Sequence, residues 1–140
     1  MKLCSACLLG IKCRYDGKSQ SNKKVLELAK KELLIPVCPE QLGGLSTPRN
    51  SSEIKENNVF TKDGEDVTLQ FNQGANEVLR IANLLGVKEA IMKQKSPSCG
   101  CGEIYDGSFS GVVISGDGVT TSLLKKNGIR VISEEDLSDN

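Results

Sequence analysis

Histidine and tryptophan are both missing from this 140-residue chain, and its aromatic content is three phenylalanines and two tyrosines. Without imidazole there can be no Ser–His or Cys–His nucleophile pair, no two-His metal site and no His ligand to haem or zinc. Acid–base work is left to Asp, Glu, Lys, Tyr, Ser or Cys. Charge of one sign is lacking as well. Eighteen Lys plus Arg against eighteen Asp plus Glu leave no net charge, so the basic excess of a general nucleic-acid binder is absent. No apolar run reaches the ~18 residues of a spanning helix. The opening stretch Met1–Gly10 is too short, and too interrupted by Lys2 and Ser5, to read as a secretion signal. The glycine-rich pieces match neither a phosphate loop nor a dinucleotide fingerprint. These absences predict a soluble cytoplasmic protein that engages neither nucleic acid nor membrane.

What is present in excess is cysteine, at positions 4, 7, 13, 38, 99 and 101. In a reducing compartment such a set points to metal, cluster or catalytic sulfur before disulfides. A chain of this length buries roughly 68–70% of its unfolded surface and supports a core without staples. Residues 1–140 are read as one domain.

Along the chain, Lys2–Leu8 reads as a buried strand stopping at Gly10, with Cys7 at its carboxyl end. Asn22 caps a helix carrying Val25, Leu26, Leu28, Ala29 and Leu33. Leu34–Cys38 is a second strand, delivering Cys38-Pro39-Glu40 to a Gly43-Gly44 loop. The polar stretch from Ser46 to Glu65 is a long excursion suited to a lid, with a small strand pair expected between Val59–Thr61 and Asp66–Val67. Leu69–Leu85 is an amphipathic helix ended by Gly86, Lys88–Lys93 a third strand, and Ser96–Gly102 a small-residue turn. A helix starting near Gly118 turns Leu123 and Leu124 inward and ends at Asn127-Gly128, before a last strand at Ile129–Ile132. The alternation predicts an α/β fold, a mainly parallel sheet flanked by helices in a Rossmann-like layered architecture.

Ligand sites in such sheets lie outside the carboxyl ends of the strands. Cys7, Cys38 and Cys99 each fall at one of those ends, so three thiols distant in sequence converge on a single crevice, a natural seat for a metal or an iron–sulfur cluster. The spacing by itself fits neither a zinc ribbon nor a ferredoxin run. Three other readings stay open: buried cysteines packing as small hydrophobes, a Cys4-Ser5-Ala6-Cys7 redox pair, and structural zinc held by four of the six. Glu40, two residues after Cys38 across a stiffening proline, is the best candidate base, and a loop-capping carboxylate otherwise. Ser96 and Ser98 either orient a substrate or satisfy the turn around Pro97. Arg49 meets an anionic or carbonyl-bearing ligand, or solvent. Asp16-Gly17 and Asp106-Gly107 are turn signatures.

Taken together, Ser5-Ala6-Cys7-Leu8-Leu9-Gly10 with Cys13-Arg14-Tyr15-Asp16-Gly17, Pro36-Val37-Cys38-Pro39-Glu40 with Gly43-Gly44-Leu45 and Pro48-Arg49, and Lys95-Ser96-Pro97-Ser98-Cys99-Gly100 with Ile104-Tyr105-Asp106-Gly107 resemble one bacterial family. It was long labelled a domain of unknown function, and its characterised members are thiouracil desulfurases. The likeness runs through Gly116-Asp117-Gly118-Val119 and Asn127-Gly128-Ile129-Arg130. The resemblance implies a [4Fe-4S] cluster held by Cys7, Cys38 and Cys99, its fourth iron open to a substrate sulfur. It also implies a catalytic glutamate and serine, matched here by Glu40 and Ser98, with Ser96 the alternative serine. Cys13 lies in a family-like motif without a role, and Cys4 and Cys101 look like additions. The implied activity is non-redox desulfuration of a thiolated pyrimidine or related small thiocarbonyl compound. The competing class is a non-enzymatic iron–sulfur or zinc-binding module.

Overall fold

Short apolar runs bounded by Gly, Pro and polar residues become the four strands of one parallel sheet. The computed structural model describes residues 1–137; the last three positions of the expected 1–140 unit lie outside the described residues. Strand β1 (Lys2–Ser5) leads through a 3-10 turn (Ala6–Leu9) to helix α1 (Lys23–Ala29), β2 (Leu34–Val37) and the single helical turn α2 (Pro39–Leu42). A hairpin, β3 (Ser52–Lys55) and β4 (Asn58–Thr61), precedes the long helix α3 (Thr68–Leu85) and β5 (Glu89–Met92). A second hairpin, β6 (Glu103–Tyr105) and β7 (Val113–Ser115), is followed by α4 (Val119–Lys126), β8 (Arg130–Ser133) and a closing 3-10 turn (Glu134–Asp136).

The sheet order is β2-β1-β5-β8, with every pair parallel. The chain moves outward from β1 to β2, then returns past β1 to β5 and on to β8. The order therefore reverses between β1 and β5, and the crevice at the carboxyl ends of such strands is where α/β sheets bind ligands. Alternate side chains enter opposite faces. Leu3, Val37, Ala90, Met92 and Val131 pack with Val78 and Ala82 of α3 and Leu124 of α4. Cys4, Leu34 and Ile91 pack on the other face with Leu8 and with Val25 of α1. A smaller cluster, Val59, Val67 and Phe71, fastens the first hairpin to α3. Among the described residues no helix is long and apolar enough to cross a membrane.

The expected α/β architecture is present, with local differences. The first strand ends at Ser5 rather than Leu8, so Cys7 sits in the 3-10 turn beyond it. Helix α1 is capped as expected, the Val25 amide donating to the Asn22 side chain at 3.1 Å. It stops at Ala29, leaving Leu33 65% exposed instead of on the buried face. Cys38-Pro39-Glu40 enters a helical turn, not an open loop; Cys38 is its N-cap, and Pro39 occupies the first position, where its missing N–H has no cost. Val59–Thr61 pairs mainly with Ser52–Lys55, and only a single bridge joins Phe60 to Asp66. The turn between those strands places Glu56 and Asn57 at φ 51° and 69°, a geometry usually announced by Asn-Gly or Asp-Gly.

Candidate active site

Three of the four strand ends deliver one cysteine each. Cys7 follows β1 in its 3-10 turn, Cys38 follows β2, and Cys99 lies in the turn after β5. All three line one cavity of about 580 Å³. A fourth sulfur, Cys13, lines it too, whereas Cys4 and Cys101 do not. Cys4 is wholly buried on the α1 face of the sheet. The Cys101 thiol donates to the Val131 carbonyl at 3.4 Å. Cys13 therefore joins the site although its sequence motif suggests no role for it. The available signal is its position just past the Gly10 turn, which folds the chain back beside Cys7.

The sulfurs sense one another. The Cys38 thiol is pushed up by its hydrogen bond with Cys13 and by burial. On Cys13 the Cys38 bond acts downward, but the Cys7 hydrogen bond and burial outweigh it and the thiol is pushed up to about 11. Burial raises Cys99 to about 12 against the opposing hydrogen bonds of Ser5 and Ser98. The donor set is thus all sulfur and inward-facing, with no imidazole in the chain, the composition that suits iron–sulfur chemistry. Among the described residues, no three His, Cys, Asp or Glu side chains converge as a site for a single metal ion.

Beside them runs a chain of polar contacts. The Ser98 hydroxyl donates to Glu40 Oε2 at 3.0 Å and lies 3.5 Å from the Cys99 sulfur. Arg49 Nε donates to Glu40 Oε1 at 3.0 Å. Ser96 behaves differently, since its oxygen accepts the backbone N–H groups of Ser98 and Cys99, at 3.2 and 3.1 Å. That is the turn-satisfying use of a serine, although its hydroxyl also lies 3.0 Å from that of Ser98. Arg49, open by sequence between ligand and solvent, is turned inward.

Close backbone packing fixes these groups. A Cβ on Gly43 would stand 2.0 Å from the Gln70 carbonyl oxygen, and one on Gly74 1.9 Å from that of Pro39. Only paired glycines let α2, which bears Glu40, lie this near α3. A Cβ on Gly118 would meet the Ser98–Cys99 peptide at 2.5 Å, so the start of α4 backs the third cysteine. The Thr121 hydroxyl adds a 2.8 Å bond to the Cys99 carbonyl.

The polar excursion and the second hairpin wall the outer cavity with Glu53, Lys62, Tyr105 and Phe109. Tyr15 adds its ring, with the Arg14 guanidinium 5.5 Å above it. Both expected turns are present, the Lys18 and Ser108 amides donating to Asp16 and Asp106 at 3.0 and 2.9 Å.

Comparison with known proteins follows the same lines. The sequence model for 2-thiouracil desulfurase matches residues 3–136. The chain belongs to the 2-thiouracil desulfurase family. Its resemblance by motif is thereby matched over nearly its whole length. A relative is the uncharacterized protein YbbK of Bacillus subtilis (strain 168), 44% identical over 149 residues, covering 99% of each chain. A solved structure named [4Fe-4S]-dependent thiouracil desulfidase TudS is 43% identical and superimposes with a TM-score of 0.91, over 97% of this chain and 91% of that one. The expected α/β fold is accordingly the fold of this desulfurase-family neighbour.

Proposed function

We propose that the chain is a desulfidase that hydrolyses the carbon–sulfur bond of a thiolated pyrimidine, using a [4Fe-4S] cluster held by Cys7, Cys38 and Cys99. The observation carrying this is the contact of Ser98 with both Glu40 and Cys99, at 3.0 and 3.5 Å. It puts a carboxylate and a hydroxyl beside the sulfur ligands, which a cluster carrier or a zinc-stabilised module has no need of. Family membership and the named cofactor of TudS support the same reading.

Cys7, Cys38 and Cys99 would hold such a cluster, which would supply Lewis acidity toward a thiocarbonyl sulfur. The chain's own groups do the rest. Glu40, anchored at both oxygens by Arg49 and Ser98, takes a proton from water as it attacks the thiocarbonyl carbon. The Ser98 hydroxyl, its one proton given to Glu40, orients the ring by accepting from a ring N–H at its oxygen. Thiocarbonyl and water become carbonyl and hydrogen sulfide, so no electron donor or acceptor is required.

The test is anaerobic reconstitution with iron and sulfide, followed by 2-thiouracil. Equimolar sulfide and uracil are expected, and Glu40→Gln should abolish turnover while leaving the iron–sulfur absorption intact. A loaded protein that releases no sulfide from thiolated pyrimidines refutes the enzymatic reading. Loss of the absorption in Glu40→Gln would recast Glu40 as structural.

A further inference from the structure

Three of the five aromatic residues, Tyr15, Tyr105 and Phe109, line the cavity. Phe109 differs from the others in its backbone. Its φ is 58°, a left-handed conformation that is an outlier for a bulky side chain and persists only where the surroundings over-determine it. Here they do. Glu53, only 9% exposed, accepts the Phe109 N–H at 3.1 Å and the Gly107 N–H at 3.0 Å on the same oxygen. Gly107 in turn packs so near β3 that a Cβ there would stand 2.7 Å from the Ile54 carbonyl oxygen. A buried carboxylate on the first hairpin thus holds the tip of the second in a costly conformation, and the residue displayed by that conformation is a phenyl ring on the cavity wall.

We propose that Phe109 is a specificity-determining residue that stacks on the flat pyrimidine ring of the substrate, and that Glu53 is the positioning residue that sets it. This rests on the desulfidase reading above. The thiols and the Glu40–Ser98 pair address the thiocarbonyl group, leaving the two π faces of a heteroaromatic ring to be recognised. An offset-stacked phenyl supplies that recognition without hydrogen-bond readout. Were Phe109 present only to complete the loop, glycine or asparagine would suit its backbone better.

The experiment uses anaerobic, cluster-loaded protein and two ligands: 2-thiouracil for KM and kcat, and uracil, which keeps the ring without the sulfur, for its calorimetric Kd. Phe109→Leu should raise the thiouracil KM and the uracil Kd together, each about tenfold, the effect expected for losing one stacked ring, with kcat little changed. Phe109→Tyr should restore both. Phe109→Gly fits the left-handed backbone, so it should lose affinity with the thermal midpoint held, which separates loss of the ring from loss of the loop. Glu53→Ala should copy Phe109→Leu, and Glu53→Gln, which keeps an acceptor oxygen, should recover most of the affinity. Unchanged KM and Kd in Phe109→Leu, or a wild type that does not bind uracil, would overturn the assignment. A wild type that binds uracil but releases no sulfide would instead overturn the desulfidase reading, and the stacking role would still be decided by the Kd of Phe109→Leu.

Discussion

Arg49 Nε lies 3.0 Å from Glu40 Oε1, and both side chains are largely buried, at 8% and 14% exposure. Four of the five guanidinium N–H donors are spent on protein acceptors. One Nη donates to the Cys13 carbonyl at 3.0 Å, and the other to the Ser46 carbonyl at 3.0 Å and the Thr47 hydroxyl at 2.8 Å. Arg49 therefore ties the carboxylate on α2 to the segment bearing Cys13 and to its own loop. Arg49→Met is expected to lower kcat on the order of 10²-fold, the scale of a small misplacement of a reacting group, and to cost about 3 kcal/mol by stranding a buried carboxylate. Arg49→Lys should recover only part of the rate, since an ammonium cannot reproduce the planar fork. Single-turnover sulfide release and denaturant unfolding check the two halves. A full rate in Arg49→Met would show that Glu40 holds its place unaided.

The cysteines should separate by role on substitution. Cys7→Ala, Cys38→Ala and Cys99→Ala are expected to lose the iron–sulfur absorption after anaerobic reconstitution. Cys4→Ala should keep it and lose about 1 kcal/mol of stability, because Cys4 is wholly buried on the α1 face and acts there as a small hydrophobe. Its thiol, raised to about 12 chiefly by burial, should also alkylate more slowly in the native protein than the partly exposed Cys101, as only an accessible thiolate reacts. Cys13→Ala is the deciding variant, since Cys13 shares the cavity with the proposed ligands. Retained absorption supports the three-ligand assignment. Its loss there together with survival in Cys7→Ala would move the ligand to Cys13.

The parts of this molecule legible from its sequence are those governed by burial. Strands β1 and β5 are buried on both faces, and the edge strands β2 and β8 expose only Pro36 and Arg130, so each reads as a short apolar run, and the carboxyl ends of β1, β2 and β5 located Cys7, Cys38 and Cys99. The second hairpin is silent in the sequence for the converse reason. All three residues of β7 are exposed, leaving no alternation to detect. Long-range partnership is equally hidden. Ser98 and Glu40 meet across 58 positions, and no local pattern around Arg49 says that its charge turns inward. Phe109 gives no signal, because a left-handed φ at a phenylalanine is imposed by Glu53 from another hairpin and contradicts local propensity.

Gly43 and Gly74 face each other across the contact of α2 with α3, each leaving no room for a methyl group. Gly74→Ala drives a carbon into the Pro39 carbonyl and must push apart the two helices that set Glu40. Overpacking of this kind costs about 1–3 kcal/mol, which lowers the thermal midpoint of a domain this size by up to roughly 10 °C. The gain in helix propensity of about 1 kcal/mol from replacing a mid-helix glycine offsets only part of that. Turnover should fall with stability, because the displaced helix carries Glu40, the proposed base. A Gly74→Ala protein that is more stable than wild type would show that the two helices tolerate separation.

Two adjacent buried threonines at the start of α4 should respond oppositely to the same change. Thr121 donates to the Cys99 carbonyl at 2.8 Å, whereas the Thr120 hydroxyl, wholly buried, has no hydrogen-bond partner among the described residues. Valine replaces the hydroxyl with a methyl of similar size. In Thr120→Val this removes an unsatisfied polar atom and should stabilise the protein by about 1 kcal/mol, whereas in Thr121→Val it strands the carbonyl behind a proposed ligand and should cost about 1–3 kcal/mol. Chemical denaturation measures both. Thr121→Val should in addition lose its cluster faster under a chelator, since Cys99 is no longer held from behind, while Thr120→Val should not. Equal cluster lifetimes in the two variants would show that the backbone bond of Thr120 to the Ser98 carbonyl, at 2.9 Å, is enough to hold that turn.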